Sequence, residues 1–204
     1  EGVIMTIQRR SFLSGLLYVS LAVIGPFAFL IIPGKFVLDG TLNAYAMDNI
    51  ALLVIWLILD IMIIVIEVVL TIYLWKIFNE HNKQLSLIAF VLRMIMIVVM
   101  VAGAIFLLIL VVDGGSTADT YIEYHNKGVF LWQLFFSGHV FLLGYMLITY
   151  LKTAWKYLGI ALILGSFGYF IDSINNLFTL DSALLATITG ILLVFVTLGE
   201  IGMA

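Results

Sequence analysis

Six runs of Leu, Ile, Val and Phe, each close to the roughly 20 apolar residues that a helix needs to cross a bilayer, leave this chain little choice of fold. They fall near 11–32, 49–77, 85–112, 129–151, 157–180 and 183–204. In hydrocarbon every backbone N–H and C=O must be satisfied within the protein, so only helices and closed barrels can span. Barrel strands alternate in polarity over about ten residues, and these runs do not. The expected fold is all-α: a polytopic integral membrane protein, a six-transmembrane-helix bundle forming a single domain over 1–204. Of the 204 residues, 64% are hydrophobic and only 10% charged, and the mean hydropathy is +1.24, well beyond a water-soluble domain.

Orientation follows from the basic residues. Arg9, Arg10, Lys76, Lys83, Lys152 and Lys156 flank one set of connections, whereas the other side holds Lys35 and Lys127 among Asp39, Asp48, Asp113, Asp119, Glu123 and Asp181. The positive-inside rule therefore predicts a multi-pass cell-membrane protein with both termini cytoplasmic. The segments 33–48 and 113–128 read as the long polar loops of the opposite side, with Tyr45, Tyr121 and Tyr124 at headgroup level. There is no cysteine, hence no disulfide or thiolate metal site, and a net charge of −3 gives no reason to expect a nucleic-acid partner. The stretch after Arg9 and Arg10 is too long for a secretory h-region and reads as a retained helix. Gly25-Pro26 predicts a kink in it. Gly138, Gly144, Gly165 and Gly168 offer small surfaces for close helix approach.

The informative residues are the ionisable groups inside the runs. A charge at mid-bilayer costs on the order of 2.5–3.5 kcal/mol on insertion scales, so each must pair, protonate or meet water. At 1.5 Å per residue, Glu67 lies roughly 14 Å and Arg93 roughly 15 Å from the cytoplasmic ends of adjacent antiparallel helices, and Glu200, about 27 Å from the external end of the last helix, reaches similar depth. These three form an expected inner ionic layer. Asp60, His139 and Asp172 lie roughly 18, 16 and 12 Å from the external ends of their helices, and form an expected outer layer with Gln133 and Asn176. Asp60 and Glu67 are two turns apart on the face that also carries Trp56 and Thr71, which links the layers.

Residue types restrict the chemistry. A bis-histidine haem is disfavoured because His81 and His125 read as loop residues on opposite sides. A retinal-type Schiff base is disfavoured because every lysine is at a helix end. Ser137 and His139 are two apart on one helix and point in different directions, so they make no dyad. Asp60, His139 and Asp172 are the candidate metal ligands, oxygen and nitrogen donors suited to a divalent ion. A pair of catalytic aspartates finds no glycine-flanked motif in WLILD or YFID.

SFLSGLLY at 11–18, the lone Asp60, LSLIAFVLRM with Arg93, FFSGHVFLLGYMLITY, YLGIALILGSFGYFIDS and GEIGMA at 199–204 together resemble the prokaryotic membrane proteins catalogued as domain of unknown function 4386. The resemblance implies a six-helix bundle whose family positions coincide with Asp60, Arg93, His139, Asp172 and Glu200, and it supplies no activity. KTAWKYLG departs from it by lacking a proline between helices four and five, and relatives continue beyond Ala204 with a Trp-rich helix end. The leading expectation is a core that binds or conducts a proton, cation or small ligand. The alternatives are a structural or accessory subunit of a membrane complex, homo-oligomeric or with partner subunits, and a metal-assisted intramembrane enzyme.

Overall fold

The computed structural model describes residues 2–36, 41–151, 153–180 and 182–202. Asp39, Lys152 and Asp181, used above for orientation, lie outside them, as does Ala204. The fold is all-helical: α1 Gly2–Pro26, α2 Leu42–Asp48, α3 Ile50–Phe78, α4 Lys83–Val112, α5 Ala118–Tyr150, α6 Thr153–Leu177 and α7 Ala183–Gly202. Six helices are long and apolar enough to cross a membrane, which makes this a multi-pass membrane protein. Each long helix from α3 to α7 packs on the next, and α1 packs on α3 and touches α7, so that it closes the ring.

Local sequence sets the breaks. Pro26 cannot donate to the carbonyl one turn back, and past it the chain widens into a π-turn over Phe27–Ile31 and a 3₁₀ turn over Pro33–Lys35. The expected kink is thus a change of helix type. Asn82 caps α4 by accepting from the Leu85 amide at 3.0 Å. α4 stops where Gly114 and Gly115 adopt φ of +68° and +84°, a conformation open to glycine. A Cβ on Gly115 would also lie 2.8 Å from the Ala46 and Met47 backbone, so the same glycine lets α2 close down on this turn.

The segment 113–128, expected as a loop, is a turn followed by eleven residues of α5. Its polar residues hide a helical face: Ala118, Ile122 and His125 are buried, while Glu123 and Lys127 pair at 2.6 Å on the exposed side, one turn apart. Asn43 on α2 donates to Asp119 Oδ2 at 2.7 Å and accepts from its amide at 2.9 Å. This reciprocal pair pins α2 to the start of α5. At the opposite end, Asn82 donates to the Tyr150 hydroxyl at 2.9 Å.

Candidate functional site

The buried face of α3 carries Trp56, Asp60, Ile63, Glu67 and Thr71, as the two-turn spacing of the acids requires. Glu67 finds the expected partner. Arg93 of α4, with no exposed surface, donates from Nε to Glu67 Oε2 at 2.7 Å. Its Nη2 lies 2.6 Å from the same oxygen, without the direction of a hydrogen bond. The guanidinium also sits 5.9 Å from the ring centre of Tyr18 and 5.4 Å from that of Phe136, within cation–π range.

His139 belongs to this cluster and not to the outer layer. Arg93 Nη1 lies 2.8 Å from His139 Nε2, and His139 Nδ1 lies 2.9 Å from the Ala89 carbonyl oxygen. A carbonyl oxygen only accepts, so Nδ1 carries the proton and Nε2 offers a lone pair to Arg93. The misplacement has a simple cause. α5 begins at Ala118, not near 129, which puts His139 roughly 30 Å from that end of the helix at 1.5 Å per residue.

Asp60 meets His125, the residue read from sequence as a loop histidine. Nε2 of His125 lies 2.8 Å from Asp60 Oδ2, and both side chains are buried. Trp56 meets the imidazole edge to face, with ring centres 4.8 Å apart. A Cβ on Gly103 would meet His125 at 3.4 Å, so glycine on α4 gives this ring close contact. Asp60 Oδ1, His125 Nδ1 and Trp56 Nε1 have no hydrogen-bond partner. Beside the pair is a void of about 10 Å³, near the size of one water-sized probe.

Asp172 on α6 stands apart from Asp60 and His139, so the expected outer triad is not assembled. It accepts from Asn176 Nδ2 at 3.1 Å, and Gln133 of α5 acts on the same carboxylate; these three expected neighbours do come together. Glu200 of α7 is near the inner cluster but forms no hydrogen bond or ion pair with Arg93 among the described residues. Nor do three His, Asp or Glu side chains gather as metal ligands among the described residues. The proposed metal set of Asp60, His139 and Asp172 is therefore corrected: its members sit in three separate environments.

A cavity of about 640 Å³ joins these parts. Every long helix contributes to its wall: Tyr18 and Gly25 from α1, Glu67 from α3, Arg93 from α4, His125 and Gln133 from α5, Asp172 from α6 and Glu200 from α7. The volume is that of a small-molecule pocket, as is the lining of apolar and aromatic side chains with a few convergent polar groups. Sequence reasoning missed the cavity because depth along each helix carries no information about the gap left between α1 and its neighbours.

No curated protein and no solved structure matches the chain. The family model described as Domain of unknown function (DUF4386) matches residues 13–204, nearly the whole chain, and the protein belongs to that family.

Proposed function

We propose that the protein binds a small molecule within its membrane-spanning bundle, in the cavity that all six long helices line. The observation that carries this reading is the cavity itself, about 640 Å³ in volume and walled by all six long helices, a size that falls within the range of small-molecule sites. Its polar groups converge from different helices, as in sites that orient a ligand. Gly25 is the natural place to block it, because it lines the cavity and a Cβ there meets nothing within 4 Å. Native mass spectrometry of wild type and Gly25→Trp, extracted from the same membranes, tests the idea. A bound small molecule present in wild type and lost in the variant supports it; two equally empty proteins would sink it.

A second reading, an accessory subunit that uses its polar groups for its own assembly, draws support from the Glu67–Arg93–His139 cluster. That cluster is buried and internally paired, as a register-fixing network would be. We place the Arg9, Arg10, Lys76, Lys83 and Lys156 end of the bundle in the cytoplasm of a cell membrane, on the positive-inside rule. The absence of cysteine makes this easy to check with single cysteines. An impermeant maleimide added to intact cells should label Thr120→Cys and spare Glu80→Cys; the reverse pattern would invert the orientation.

A further inference from the structure

We infer that the cavity takes a lipophilic organic cation, an apolar body carrying a delocalised or alkylated positive charge; this rests on the reading that the cavity binds a small molecule. The first ground is its balance of charges. Arg93 is the one Lys or Arg among the lining residues, against the carboxylates of Glu67, Asp172 and Glu200. Arg93 is already engaged: Nε and Nη2 crowd Glu67 Oε2 at 2.7 and 2.6 Å, and Nη1 is held by His139. Asp172 is met by the neutral amide of Asn176, and no cation among the described residues pairs with it or with Glu200. Two acids thus line one largely apolar space with no ion-pair partner of their own among the described residues, where a positive ligand would pair with their ionised form.

The second ground is the wall. Phe29, Phe130, Trp132, Phe136 and Tyr169 line the same space, and aromatic faces attract cations most strongly where water is excluded. Phe136 already lies under the Arg93 guanidinium, so this wall accepts a cation at its inner end. Gln133, also on the cavity lining, engages Asp172 through a neutral amide and so brings no positive charge to it. An anionic ligand would meet these carboxylates with no free Lys or Arg on the lining to receive it.

The shape-matched ions tetraphenylphosphonium and tetraphenylborate separate charge from apolar fit. Saturable binding of each is measured separately, on full-length protein in phosphatidylcholine nanodiscs, with empty nanodiscs subtracted. Tetraphenylphosphonium should bind saturably and tetraphenylborate should not. Asp172→Asn and Glu200→Gln should each weaken the phosphonium about tenfold, the scale of one lost ionic contact. The near-isosteric Asp172→Asn and Glu200→Gln variants are checked for unchanged melting, and Gly25→Trp should abolish binding with both acids in place. Equal saturable binding of both ions, or phosphonium binding indifferent to both acid variants, overturns the cation inference and leaves a charge-blind cavity. Saturation by neither ion also overturns it. If wild type and Gly25→Trp are in addition equally empty by mass spectrometry, the binding reading falls with it.

Discussion

Nε2 of His125 lies 2.8 Å from Oδ2 of Asp60, an interhelical pair between α5 and α3 with both side chains sealed inside the bundle. Without His125, Asp60 Oδ2 would be left buried without its hydrogen-bond partner, which costs about 1–3 kcal/mol. His125→Leu should therefore destabilise the protein strongly, and the double variant His125→Leu/Asp60→Leu should recover most of that loss. Thermal unfolding in detergent or nanodiscs provides the comparison. A double variant as unstable as the sum of the two singles would show that the residues do not act as a pair.

The Glu67–Arg93–His139 cluster predicts a ranking. Glu67 supplies the charge that balances Arg93, whereas His139 supplies one neutral acceptor. Glu67→Leu should cost about 3 kcal/mol, since it strands a buried guanidinium, and His139→Leu about half as much, as one hydrogen bond to a charged group. Glu67→Leu/Arg93→Leu should be more stable than Glu67→Leu alone. The reverse order of His139 and Glu67 would mean that the guanidinium is held mainly by the imidazole.

Depth counting was enough to bring Glu67 and Arg93 together, because both helices are continuous and begin where their apolar runs begin. It failed for His139 and His125 for one shared reason: Asp119, Glu123 and Lys127 made residues 118–128 look like solvent-exposed loop. The spacing of Ala118, Ile122 and His125, at i, i+4 and i+7, was the signal that could have extended α5. With α5 started at Ala118, His125 rises into the Asp60 layer and His139 descends to Arg93. Asp172 and Glu200 were read as intramembrane acids, but their shared cavity depends on how α1 leans on α3, and no periodicity encodes that.

Asp113, at the exposed turn between α4 and α5, accepts from Ser116 Oγ and Thr117 Oγ1 at 2.6 Å each. Those hydroxyls, Ser116 first, hold its carboxyl below the ordinary aspartate value of 3.8. A lowered folded-state value means that the ionised group stabilises the turn fully above the ordinary value, and that this contribution is lost as pH falls through the lowered one. The melting temperature of wild type minus that of Asp113→Asn should accordingly be positive near neutrality and shrink toward zero on acidification. A difference that stays constant down to strongly acidic pH would contradict the assignment.

The crossing of α5 and α6 gives a reciprocal steric prediction. A Cβ on Gly144 would lie 2.6 Å from the Gly159 carbonyl oxygen, and a Cβ on Gly159 would lie 2.6 Å from that of Gly144. Each glycine is therefore the contact surface for the other's backbone, the close approach that small residues permit between membrane helices. Neither obstacle is a flexible side chain, so even a methyl must push the helix axes apart, at about 1–3 kcal/mol by the usual cost of overpacking. Gly190 on α7 is the matched control, since a Cβ there meets nothing within 4 Å, and alanine in an exposed helix position even gains about 1 kcal/mol of propensity. Gly144→Ala and Gly159→Ala should each lower the melting temperature, while Gly190→Ala should leave it unchanged or raise it. Because the two glycines report on one gap, the double variant should cost less than the sum of the singles. Three variants melting alike would show that α5 and α6 do not touch at this point.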